Sequence, residues 1–163
     1  MKTTAILLTV MLAVAGSAFA QTAPPDTSVT AAAEGSYPAG TLYNGVPLQG
    51  FTIANGAIIA GDGSAADGAI GISLMAVPTP LGQQVINIDA KVTGGSSAGA
   101  IATVSGTCTV NMGNGTAPIT GVPFVATISA NADGTGTVGL VLSGVALPTA
   151  ATSDGTLNVA AMQ

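Results

Sequence analysis

Few side chains in this chain could carry chemistry. The acids are Asp26, Glu34, Asp62, Asp67, Asp89, Asp133 and Asp154; Lys2 and Lys91 are the only basic residues, and there is no His or Arg. A Ser-His-Asp or Cys-His nucleophile therefore cannot be assembled. A Ser-Lys pair would have to use Lys91, which stands beside Asp89 on the polar side of an alternating stretch, where a solvated strand surface would put it. Four acids precede glycine, in Asp62-Gly63, Asp67-Gly68, Asp133-Gly134 and Asp154-Gly155. Turn chemistry accounts for these pairs, since Asp caps the local backbone while Gly takes a positive φ. The functional alternative is a Ca²⁺ site on Asp62, Ser64 and Asp67 with nearby carbonyls, because hard cations take several oxygens from one loop. The stretch lacks the alternating acids and terminal Glu of a helix-flanked calcium loop. Paired carboxylates for glycoside hydrolysis would need a cleft, and four aromatic rings in the mature chain offer few platforms for a sugar.

Cys108 is the only cysteine, so no internal disulfide can form. Alternation puts it with Val104 and Val110, facing inward as a small apolar group. The competing reading, a reactive or intermolecular thiol, lacks a neighbouring base to make the thiolate. Thr103, Ser105, Thr107 and Thr109 form a hydroxyl row. Such rows suit ice or crystal faces, but this one is a single strand long and unrepeated, as an ordinary β-branched surface would be. Asn114-Gly115-Thr116 is a glycosylation sequon that matters only in a eukaryote. No catalytic residue is assigned, and no cofactor is expected.

These residues hang on a β framework. Its clearest part spans residues 122–145. Phe124, Ala126, Ile128 and Ala130 alternate with Val125, Thr127 and Ser129; after a polar connection at residues 131–134, Val138, Leu140 and Leu142 resume the alternation. A period of two describes strands with one face inward, and a short polar link ending in Gly suits a hairpin. The same pattern predicts a strand with Ile70, Ile72, Leu74 and Ala76 on one face. It predicts another with Ile86, Ile88, Ala90 and Val92 inward and Asn87, Asp89 and Lys91 outward, and a third over residues 101–110. A last short strand is expected over residues 156–160. Asn44-Gly45 marks a turn, Asn55-Gly56 is read as a hairpin turn, and residues 94–98 as another. About nine short strands with no helical period predict an all-β, antiparallel two-sheet sandwich.

Residues 1–20 read as a bacterial-type secretory signal, with Lys2, an apolar run and Ala18-Phe19-Ala20 as the cleavage site. Residues 21–40 read as an extended Pro/Thr/Ala arm, either a tether or a strand donated to a neighbour, and residues 41–163 as the β domain. Without Lys2, one lysine stands against seven acids, a balance of −6. That excludes a phosphate-binding row and hence nucleic-acid binding, and no membrane span is expected after signal cleavage. The chain is therefore expected to be secreted or periplasmic, acidic and non-enzymatic. The expected role is structural or adhesive, as a subunit of an extracellular filament, matrix or surface layer. Self-association would use sheet edges or the N-terminal arm. The alternative is a binding module for an uncharged ligand held between sheets.

Overall fold

The computed structural model describes residues 23–163; the expected signal sequence and cleavage site lie outside the described residues. Ten strands follow in order: β1 (Thr27–Ser36), β2 (Leu42–Tyr43), β3 (Val46–Ile59), β4 (Ala66–Ala76), β5 (Val85–Ala98), β6 (Ile101–Asn111), β7 (Ile119–Ala130), β8 (Gly136–Leu142), β9 (Val145–Ala146) and β10 (Ala150–Ala161). From β3 to β8 each strand pairs antiparallel with the next. The ends of this meander then meet through β1. It pairs with β10, from Thr27↔Ala161 to Gly35↔Thr152, and with β3, from Thr27↔Ile59 to Ser36↔Gly50. The ring closes where β10 meets β8.

The expected two-sheet sandwich is thus wrong. The sheet is a closed antiparallel barrel of 8 strands, with β2 and β9 as short additions to β3 and β8. The physical cause is that β1, part of the segment read as an arm, is hydrogen-bonded along both edges. A sandwich would leave the outer edges of both sheets unpaired; closure through β1 pairs them, with β10 meeting β8 only at its start.

The inward faces fill the barrel. Val29, Ile53, Ile72, Ile88, Val104, Ile128 and Leu140 are buried, together with every residue expected to face inward on the 122–145 hairpin. Burying each larger aliphatic is worth roughly 1.5–3 kcal/mol. Phe51 and Phe124 fit because each lies directly across from a glycine: Gly35 opposite Phe51 and Gly106 opposite Phe124. A Cβ on Gly35 would come within 2.6 Å of the Phe51 ring, and one on Gly106 within 3.1 Å of Phe124. Tyr37 packs on Phe51 with ring centroids 5.5 Å apart.

Three local expectations are corrected. Asn55-Gly56 is not a turn; β3 runs straight through it, and Asn55 pairs with Ala31 on one side and Ile70 on the other. Long ladders on both edges outweigh the local turn preference. Asn55 takes φ 73°, and its side chain is exposed where the alternation would bury it. The Asn-Gly pair that does turn is Asn44-Gly45, with φ 47° and 80° between paired Tyr43 and Val46. Residues 94–98 are strand, the far end of β5, and the reversal falls at Gly99. Finally, β10 begins at Ala150, well before the short strand expected from residue 156.

Candidate interaction surfaces

Strand alternation sets three surfaces: an outer wall, and the two ends of the barrel. The wall over β3 to β6 collects the polar side chains. Asn87 lies across from Ser73 and Asn111, Asp89 across from Gly71 and Thr109, and Lys91 across from Ala69 and Thr107. Ser73 Oγ donates to Asn87 Oδ1 at 2.9 Å. Small residues at Ala54 and Gly71 leave a depression of about 380 Å³ rimmed by Thr52, Ser73, Asn87, Asp89 and Asn111. A second hollow of about 470 Å³ lies over β1, β3 and β4, beside Asn55, Gly56 and Asp67. The hydroxyl row is on the outer wall as well, and Thr103 shares a hydrogen bond with Thr127 of β7 at 3.3 Å.

The candidate calcium ligands separate into two roles. Asp62 Oδ1 accepts from the Ser64 N–H at 2.9 Å, and hydrogen bonding from Ser64 holds the Asp62 carboxyl below its usual range. Asp67 sits in β4, opposite Ile58. Among the described residues no three His, Cys, Asp or Glu side chains come together as a metal group. Asp133 likewise serves its turn, accepting from Thr135 N–H at 3.0 Å and Oγ1 at 2.7 Å. Those bonds pull its pKa down. Cys108 is 3% exposed, and burial pushes its thiol pKa up, so the neutral form is favoured. Lys91 faces outward, with Asp89 two residues away on the same face of β5.

Sequence reasoning missed the ends of the barrel. At one end the connections between β4 and β5, β6 and β7, and β8 and β10 gather beside β2. Leu42, Val77, Leu81, Ile119 and Val145 are all exposed there; the other exposed large apolar side chains among the described residues are Ile58, Ile101, Val125 and Met162. A hollow of about 210 Å³ is lined by Tyr43, Val110, Ile119, Val122, Leu142 and Val145. Leu81 is 100% exposed, yet its loop is built. Thr79 and Gly82 exchange main-chain bonds at 3.0 and 2.9 Å, and Thr79 Oγ1 adds a bond to Gly82 O at 2.9 Å. Pro78 and Pro80 restrict the backbone on either side. Val77-Pro78-Thr79-Pro80-Leu81 was the available signal: an apolar residue fixed by two prolines in a strand break.

At the opposite end, the β5–β6 hairpin reaches across the mouth, where Ser97 Oγ and Thr27 Oγ1 lie 2.8 Å apart. Beside it, a groove of about 510 Å³ runs between the β7–β8 turn and the last part of β10. Among the described residues no helix is long and apolar enough to cross a membrane. Comparison with protein families, with curated proteins and with solved structures found no match to this chain.

Proposed function

We propose that this protein is a non-enzymatic structural or adhesive module, secreted or periplasmic, that holds its neighbours through the apolar end of the barrel. The observation that carries this reading is Leu81. A fully exposed leucine held on a stiff loop, among other exposed aliphatic side chains, has the character of an anchor for a pocket on another surface. A stiff loop loses little conformational freedom on binding. The signal-like residues 1–20 support export. The wall supports a water-facing barrel, since apolar side chains point in and Asn, Asp, Ser and Thr point out, the reverse of a membrane-spanning barrel. The chemistry-bearing residues support a non-enzymatic role: Cys108 is buried in its neutral form, and the hydrogen-bonded acids Asp62 and Asp133 fasten turns.

The test is the double variant Leu81→Ser, Ile119→Ser in exported protein, examined by sedimentation and electron microscopy of native material. Both side chains are exposed, so the thermal midpoint should hold. Large assemblies or surface-bound protein in wild type, and released small particles in the variant, are expected. Identical particles from wild type and variant would overturn the reading. The alternative, a binding module for an uncharged ligand, is favoured by one feature, the amide- and hydroxyl-rimmed depression over Gly71. Its place is the outer wall and not the interior, which side chains fill.

A further inference from the structure

The barrel closes by long ladders everywhere except between β8 and β10. There the ladder has only Ala150↔Val138 and Ala151↔Thr137. Farther along β10, Gly136 N–H donates to the Thr152 hydroxyl at 3.0 Å, and Leu157 N–H donates to Gly134 O at 2.8 Å. The β7–β8 turn ends at that point, but β10 continues to Ala161. Main-chain groups alternate in direction along a strand, so Leu157 fixes the sense of its neighbours. Met162 N–H reaches Asp26 O at 2.7 Å on the β1 side, as that alternation requires. Asn158 and Ala160 therefore bond toward β1, while Val159 and Ala161 present N–H and C=O away from it, to the groove.

We infer that this edge, from Leu157 to Ala161, pairs antiparallel with the same edge of a second copy across a two-fold axis at Val159. The inference rests on the reading that the protein assembles, but on a different surface. In this register Val159 exchanges both its bonds with Val159 of the second copy, and Ala161 N–H reaches the Leu157 carbonyl of that copy. The reciprocal bond, from Leu157 N–H to the Ala161 carbonyl of the copy, does not form, because Leu157 N–H is already given to Gly134 O at 2.8 Å; the pairing is full at Val159 and half-made at its two ends. Side chains also match: Leu157 and Val159 point inward and meet Ala161 and Val159 of the copy, while Asn158 meets Ala160 on the outer face. No charged residue or proline lies between residues 156 and 163, so an acidic protein meets itself here without opposed carboxylates on the strand. Native edges carry such residues to prevent pairing. The groove of about 510 Å³ alongside, with Ala130 and Ala132 among its walls, leaves room for the incoming strand. A reciprocal edge satisfies both copies at once and closes as a dimer.

The test uses three variants of the mature chain. Val159→Pro removes an N–H that β1 does not use, so the barrel keeps its ladder. It should weaken dimerisation roughly tenfold or more, the scale of a few main-chain bonds, in sedimentation equilibrium. Val159→Cys, with Cys108 buried, should form a disulfide-linked dimer on mild oxidation, and Asn158→Cys much less. Leu81→Ser should leave this dimer intact. A wild type that stays monomeric at high concentration overturns the inference. So does a dimer that survives Val159→Pro but is lost in Leu81→Ser, and that result would leave the proposed function standing. Crosslinking as efficient at Asn158 as at Val159 also overturns it, by excluding the register.

Discussion

The wall from β3 to β7 and the seam between β8 and β10 belong to one barrel but are held in different ways. Between β3 and β4 the ladder runs from Leu48↔Ala76 to Ile59↔Ala66, and β4 to β7 continue in the same fashion. At the seam two residue pairs remain, and a threonine hydroxyl stands in for main chain. The cause is local. The strand β8 covers only Gly136–Leu142, and β10 is irregular where it passes the end of β1: Asp154 lies opposite Glu34 and Thr152 opposite Gly35, which leaves Ser153 as an extra residue, with Gly155 at φ 86°. The difference teaches that closing a barrel topologically does not close it uniformly. Local opening should be drawn from the seam, where buried contacts and ladder bonds are fewest.

Loading strain into the wall should have the largest effect. Gly106→Val would drive a side chain into the Lys91 carbonyl and the Phe124 ring, and neither backbone nor a packed ring can yield cheaply. The expected loss is about 3 kcal/mol or more, read by urea unfolding. A loss below about 1 kcal/mol would mean the wall is not packed as described.

Tyr37 gives the comparison a pH dependence. Burial pushes its phenol up to about 12 from 10.0, so ionisation is easier in the unfolded chain. Its contribution is whole below pH 10 and fades as pH rises from 10 toward 12, by about 2 kcal/mol across that window. Stability measured against pH in wild type and Tyr37→Phe should part only above pH 10; parallel curves there would contradict the burial of Tyr37 against Phe51.

The smallest effect belongs to the seam. Thr152→Val removes the hydroxyl that accepts from Gly136 N–H at 3.0 Å and bonds its carbonyl at 3.3 Å. Thr152 is partly exposed, so water can replace some of the loss. About 1 kcal/mol is expected, with the extra opening confined to β8 and β10. A cost equal to that of Gly106→Val would erase the distinction between wall and seam.

Much of this was legible in the residues. Alternation identified the inward faces of β4, β5, β6, β7 and β8, including Cys108, because a two-residue period is imposed by the strand itself. It could not distinguish sandwich from barrel. Both bury one face of every strand, and the choice lies in which distant edges meet. Thr27 against Ala161 is a contact that no local pattern encodes. Asn55-Gly56 misled because its turn preference was judged without the ladders on both sides of it. Two Asp-Gly pairs, at Asp62 and Asp133, do cap turns, but Asp67 and Asp154 lie within strands. The surfaces proposed for function were the least legible. Leu81 needed its loop geometry, and the β10 edge appears only once the length of β8 is known.

Hydrogen exchange at single-residue resolution tests the central claim most directly: a barrel closed through β1, with one edge left open. In dilute protein, Asn158 and Ala160 amides should be protected by β1, while Val159 and Ala161 exchange fast. As concentration rises, Val159 and Ala161 should become protected together. Equal protection of all four amides at every concentration would mean the seam is fully paired. Equal exposure of all four would mean that β1 does not close the barrel.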